Sequence, residues 1–266
     1  MKLAIMQPYF FPYIGHFQLM KNVDRWIVAD DLQFIDKGWI TRNRILHPDA
    51  KKEWIYILIP LKNRRSFDKI NNINIDGTQN WKSLILGRLS HYKNKAPYYD
   101  RTIDLVKACL AYDENNLALF VTNTLRLVAS ELGINVKMDV LSRLELKLGH
   151  INHPGQWAVK ISEALGATEY INPYSGYSIY REDEFSSRSI KLYFLRPHLT
   201  PYTQRCDGFV SRLSIIDVMM WNSKPEIMKM LMHDFDILTY GELVNKKSRG
   251  PVLLTNRAQG SLTHPL

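Results

Sequence analysis

The first thirty residues restrict this chain more than any other stretch. Leu3-Ala4-Ile5-Met6 is a short apolar run that stops at Gln7-Pro8, and it reads as a buried strand. Ile14 to Met20 places Ile14, Phe17, Leu19 and Met20 at spacings that suit a short helix. Trp26-Ile27-Val28-Ala29 is then a second strand, closed by Asp30-Asp31. Strand, loop, helix and strand within so short a span is the length of a βαβ unit, whose two strands run parallel.

The rest of the chain continues the alternation. Trp54 to Leu61 reads as a third strand, with Pro60 marking an edge or a strand end. Trp81 to Tyr92 and Leu117 to Leu132 repeat apolar residues every three or four positions, and Gly133 caps the second of these helices. Ile134 to Leu141 predicts a strand, Gln156 to Leu165 a helix, Tyr170-Ile171 a strand, and Ile190 to Leu195 another. Leu213 to Trp221 and Pro225 to Met232 read as closing helices. The expectation is an α/β fold with a mainly parallel sheet: one domain over residues 1–240, a helical insertion at about 80–132, and C-terminal helices. The Lys-, Ser-, Gly- and Pro-rich stretch 241–266 is expected to be a flexible tail.

Composition removes several function classes. Among 266 residues, 45% are hydrophobic and 23% charged, ordinary globular values that exclude collagen-like, coiled-coil and largely disordered chains. No apolar run reaches the roughly 20 residues of a membrane helix, and the first residues do not read as a signal peptide. Two cysteines, Cys109 and Cys206, are too few for a disulfide framework, which predicts a cytoplasmic protein. The net charge is +9, but the basic residues are scattered, with short clusters only at Lys62-Asn63-Arg64-Arg65 and Lys246-Lys247-Ser248-Arg249. That scatter points to small phosphorylated or carboxylated ligands and away from nucleic acid.

Four segments carry candidate chemistry. Gln7, Pro8, Tyr9 and the aromatics up to Tyr13 form a rigid loop between a strand end and a helix start, where α/β sheets place ligands. Gly15 would let backbone approach a ligand, and His16 falls in the first helical turn, whose amides attract anions. Tyr13-Ile14-Gly15-His16 also resembles the HIGH-type signature of nucleotidyl-transfer enzymes, which supports anion binding beside the first strand. The alternative is a hydrophobic cap on the sheet. Asp30 and Asp31 could act as general bases, or simply form a turn. Trp39, Arg42 and Asn43 suit a phosphate or carboxylate clamp with a stacking ring, or a plain basic surface. Asn172, Ser175, Gly176 and Tyr180 could read sugar hydroxyls, or pack as a tyrosine-rich turn. His91 reads first as a helix-terminal cap. His150 and His153 fall in a loop, and no Cys/His/Asp/Glu spacing predicts a metal.

Several of these segments together are similar to the WbqC-like family: Met6-Gln7-Pro8-Tyr9-Phe10-Phe11-Pro12-Tyr13-Ile14-Gly15, Asp30-Asp31-Leu32-Gln33-Phe34, Gly38 to Arg44, Tyr92 to Tyr98, Leu165 to Pro173 and Leu213 to Asp217. The resemblance implies a role in bacterial surface-glycan and O-antigen biosynthesis. It implies modification of amino sugars by transfer of a glycyl or other acyl group; taken with the positive charge and the aromatic loop, the expected acceptor is the amino group of a nucleotide-linked sugar, and the donor, an acyl thioester or an ATP-activated acyl group, is left open. A carrier protein is a possible second partner. In such a reaction Asp31, Asp30 or His91 would take the proton, while Trp39, Arg42 and Asn43 would hold the anionic substrate. The rival expectation is a non-catalytic sugar-nucleotide or carrier-protein binding module. Either way Gln7 to His16, Asp30-Asp31 and Asn172 to Gly176 are expected to converge at one edge of the sheet.

Overall fold

The computed structural model describes residues 1–62, 64–65, 67–204 and 208–248. Cys206 and residues 249–266, the greater part of the expected tail, lie outside the described residues, as does Asn63 of the first basic cluster. The chain opens with β1 (Lys2–Met6), α1 (Ile14–Lys21) and β2 (Arg25–Val28). Two short hairpin-like pairs follow, β3 (Arg42–Leu46) with β4 (Trp54–Leu58) and β5 (Leu61–Lys62) with β6 (Asn74–Ile75). Three helices come next, α2 (Trp81–Leu89), α3 (Tyr99–Ala111) and α4 (Leu117–Glu131). The second half contains β7 (Lys137–Val140), α5 (Gln156–Ala164), β8 (Glu169–Pro173), α6 (Glu182–Ser186), β9 (Lys191–Pro197), α7 (Ile215–Trp221), α8 (Lys224–His233), β10 (Phe235–Thr239) and α9 (Tyr240–Ser248).

The central sheet has the order β10-β9-β8-β1-β2-β7, and all neighbours are parallel except the β9–β10 pair. This is the α/β class with a mainly parallel sheet that the sequence predicts. Alternation explains how both faces are covered. Leu3 and Ile5 enter one core with Ile27, Tyr170 and Phe194, facing Val159 and Ile161 of α5 and Phe185 of α6. Ala4 and Met6 enter the other with Trp26, Val28 and Ile171, facing Phe17 and Met20 of α1 and Leu231 of α8. A strand with no exposed face has to be apolar at consecutive positions, which is why the β1 segment carries no polar residue after Lys2.

Two expectations take a different form. Trp54 to Leu61 does not extend the parallel sheet; β4 pairs antiparallel with β3 in a separate two-stranded ribbon. Pro60 lies just beyond it, where its carbonyl accepts from Asp76. The tail expected from residue 241 begins instead as α9, against β9 and β10. Its first turn is capped by Glu242, which accepts from the Thr239 amide at 2.7 Å and the Thr239 hydroxyl at 2.9 Å.

Candidate functional site

The strand order reverses beside β1. From β1 the chain adds β2 and β7 on one side, whereas β8 and β9 extend the other. In open parallel sheets such a reversal parts the loops at the carboxyl ends and opens a crevice, here between the loops after β1 and β8. Met6 is opposite Val28, and Leu3 is opposite Tyr170. Gln7, Asp30-Asp31 and Asn172 therefore share one edge, although they come from distant parts of the chain.

The walls of the crevice are aromatic and cationic. Tyr13 follows β1, Tyr174 follows β8, and Arg212 precedes α7; the three are close enough to influence one another electrostatically, with Tyr9 beside them. Burial pushes the Tyr13 hydroxyl up to about 12 and Arg212 opposes the shift. Burial also raises Tyr9 to about 12. Both hydroxyls are thus neutral donors at physiological pH. Arg212 Nη2 donates to the Tyr174 hydroxyl at 3.4 Å, and Arg44 Nη2 donates to the Arg212 carbonyl at 3.4 Å. Burial lowers the Arg44 pKa, and repulsion from Arg212 adds to that, while Tyr56 and Glu53 work in the opposite direction. No carboxylate among the described residues lies within ion-pair distance of either guanidinium. Glu53 acts on Arg44 only from beyond ion-pair distance, and two neighbouring guanidinium groups favour an anionic ligand. Past Tyr13 and Arg212 the crevice continues into a hollow lined by Ile14, Leu199, Phe209 and Met230, with Asp234 also in its wall.

The loop Gln7 to Tyr13 is held from three directions. Asn43 Nδ2 donates to the Phe11 carbonyl at 2.9 Å and the Phe10 carbonyl at 3.1 Å. The Ser214 hydroxyl donates to the same Phe11 carbonyl at 2.8 Å, and the Phe10 amide reaches the Trp39 carbonyl at 2.9 Å. These bonds hold Phe11 at φ 41°, a left-handed conformation that costs an aromatic residue energy. Gly15 matters for a related reason: a Cβ there would fall 2.4 Å from the Tyr13 ring, so only glycine lets that ring fold over the first turn of α1.

The residues singled out in the sequence divide accordingly. Gln7 is 2% exposed and its Nε2 has no partner among the described residues. Pro8 is buried beside it. His16 is buried between Tyr9, at 5.5 Å, and Trp26, at 4.8 Å, and burial drives its pKa down to about 3. It is a neutral ring in the core and presents no charge of its own to an anion. Arg42 and Asn43 are neighbours on a strand and so face opposite sides. Arg42 lies over the Tyr56 ring at 4.4 Å and donates to the Lys37 carbonyl, while Asn43 points inward to the loop. The expected Arg42–Asn43 clamp is therefore split by the pleat. Trp39 lies under the Arg44 guanidinium at 5.3 Å, as does Trp54.

Asp30 is buried, and both its oxygens are taken by Ser142, the amide at 2.9 Å and the hydroxyl at 2.6 Å. Asp31 is partly exposed; its Oδ1 accepts from Lys69 at 2.8 Å and Asn71 at 3.2 Å. Asn172 accepts from the Tyr170 hydroxyl at 3.1 Å, and a Cβ on Gly176 would come within 2.7 Å of its Nδ2. Tyr180 is removed from the edge: it is 2% exposed, with its hydroxyl 3.1 Å from that of Tyr170 inside the core. His91 lines a different hollow, beside His47, Lys52 and Lys95. His153 pairs with Glu184 at 2.9 Å, and Cys109 is core, its thiol pushed up to about 12 by burial. Among the described residues no three His, Cys, Asp or Glu side chains gather as a metal site.

Of the residues at this edge, Arg212 belongs to no segment singled out in the sequence, while Arg44, Tyr13, Tyr174 and Asp217 fall inside such segments without a role of their own. Arg44 is two positions from Arg42, so a β reading of Gly38 to Arg44 would have grouped the two arginines and set Asn43 apart. Asp217 is fully buried and accepts from Tyr92 and Tyr202, each at 2.6 Å, and from Gln204 at 2.9 Å. Burial raises its pKa, against the pull of those hydrogen bonds. Gln204 in turn exchanges bonds with Val210, so this network anchors the segment that presents Arg212. The isolated position of Arg212 offers no local pattern, whereas Tyr174 lies within the tyrosine-rich turn after β8.

Fold and edge define a doubly wound α/β protein with a cationic, aromatic crevice at the reversal of its strand order. Within that class the chain belongs to the WbqC-like protein family, whose model matches residues 7–229. It is 29% identical over 220 residues to "Uncharacterized protein Rv1507c" of Mycobacterium tuberculosis, a match covering 82% of this chain and 92% of that protein. No solved structure matches the chain significantly.

Proposed function

We propose that the crevice binds a nucleotide-linked amino sugar and that the protein acylates the sugar's amino group, as a cytoplasmic step in the assembly of a bacterial surface glycan such as O-antigen. Membership of the WbqC-like family supports the pathway. The observation that carries the chemistry is the Arg44–Arg212 pair, without carboxylate partners, beside Tyr13 and Tyr174. Guanidinium groups suit a diphosphate, and tyrosine rings suit the face of a sugar or base. In the reaction the amine attacks the acyl carbonyl, a C–N bond forms, and the bond from the acyl carbon to its sulfur or phosphate leaving group breaks. Asp31 is a partly exposed carboxylate at this edge and takes the amine proton in this reading. No helix of the described residues is long and apolar enough to cross a membrane, in keeping with a substrate dissolved in water.

Mass spectrometry tests the proposal: purified protein is incubated with nucleotide-linked amino sugars and either acyl thioesters or ATP plus glycine. Amide product that disappears in Arg212→Gln supports it; no product in any combination sinks it. A second reading, a non-catalytic sugar-nucleotide binding module, draws on the engagement of both Asp30 oxygens and of Asp31 Oδ1. It expects tight binding without turnover, and full pathway function in Asp31→Asn.

A further inference from the structure

We propose that a second anion site, one that takes a phosphate group, lies between the β3–β4 turn and the segment joining α2 to α3. His47 and Lys52 come from the turn, and His91, Tyr92 and Lys95 from the joining segment, with Trp221 at the end of α7 completing the hollow. It shares no lining residue with the hollow beside Arg212. Four of its side chains are bases and none is a carboxylate. Asp49, in the same turn, directs its Oδ1 to the Lys51 amide at 3.0 Å, which closes the turn, and Asp49 is not among the residues that line the hollow. Lys52 and Lys95 are exposed and form no ion pair among the described residues.

The floor is rigid and its donors are oriented. Tyr92 is 1% exposed; its hydroxyl accepts from the Leu46 amide at 3.0 Å and donates to Asp217. The His91 ring lies 4.2 Å from the Tyr92 ring, with Nδ1 2.8 Å from the Arg88 carbonyl. His47 Nδ1 accepts from the Asp49 amide at 2.9 Å, so the proton of the neutral imidazole is on Nε2. His47 is accordingly a donor even when uncharged. Two ammonium groups and an imidazole N–H approaching from separate segments suit a tetrahedral, many-acceptor phosphate. A planar carboxylate would be matched by the fork of an arginine, and none lines this hollow.

The experiment uses the full chain carrying Arg212→Gln, so that failure of the crevice reading does not affect it. Inorganic phosphate is titrated while the imidazole resonances of His47 and His91 are followed by NMR, with chloride at matched ionic strength as the control. Both resonances are expected to shift saturably with phosphate. Adding Lys52→Gln and Lys95→Gln, both at exposed positions, should weaken that response at least tenfold. The proposal is overturned if the resonances do not move, if chloride moves them equally, or if the double lysine variant titrates like its parent.

Discussion

Asn43 Nδ2 stands 2.9 Å from the carbonyl oxygen of Phe11, thirty-two residues earlier in the chain. Through this bond the first residues of β3 determine the conformation of the loop that follows β1. A side chain that reads in sequence as part of a substrate clamp is a strut for the crevice wall, and Arg44, on the opposite side of the same strand, lies beside Arg212.

Asn43→Ala should cost roughly 1–3 kcal/mol of stability, because the Phe10 carbonyl loses its side-chain donor in a buried position. The Phe11 carbonyl keeps Ser214, so the loop should loosen without unfolding. Denaturant unfolding measures the first effect and ligand affinity the second. A variant with unchanged stability would remove the strut from the account.

His16 makes stability depend on pH with a definite sign. An unfolded chain protonates this ring near 6.5, whereas the folded protein resists down to about 3 because burial disfavours the charge. Between those values unfolding takes up a proton. The contribution is complete above pH 6.5 and is lost as pH falls, at about 1.4 kcal/mol per unit. His16→Phe should flatten the stability profile between pH 6.5 and 4 relative to wild type. Subtracting the two profiles cancels groups common to both, including Asp217, whose titration burial moves upward. Parallel profiles would contradict a neutral, buried His16.

How much of this was legible beforehand follows from the range of the forces involved. Leu3 to Met6 and Trp26 to Ala29 declare buried parallel strands because a strand covered on both faces has to be apolar throughout, and periodicity likewise finds α2 and α4. The shared edge of Gln7, Asp30 and Asn172 follows from parallel order alone. Side-chain direction does not. Asn43 and Tyr180 carry the polar groups a binding site needs, but the contacts that turn them inward come from Phe11 and Tyr170, and local sequence carries no record of those. Arg212 escaped notice for the converse reason: it gains meaning only when β3 brings Arg44 beside it.

Two glycines should respond differently to alanine. A Cβ at Gly155 would lie 2.2 Å from the Ile179 carbonyl oxygen, which is backbone, so Gly155→Ala should destabilise by roughly 1–3 kcal/mol. At Gly15 the clash is with the Tyr13 ring, which can rotate away. Gly15→Ala should therefore change the melting temperature less than Gly155→Ala while weakening ligand binding more. Thermal unfolding and a binding titration on both variants check the contrast, and the reverse order would refute it.

The most direct test is calorimetric titration of a nucleotide-linked amino sugar into wild type, Arg44→Gln and Arg212→Gln. Each variant loses charge-assisted hydrogen bonds worth roughly 1.5–3 kcal/mol, so each should bind about tenfold to a hundredfold more weakly. The salt dependence of binding should also be shallower in both. Wild-type affinity retained in both variants would contradict the claim that the crevice between β1 and β8 holds the anionic substrate.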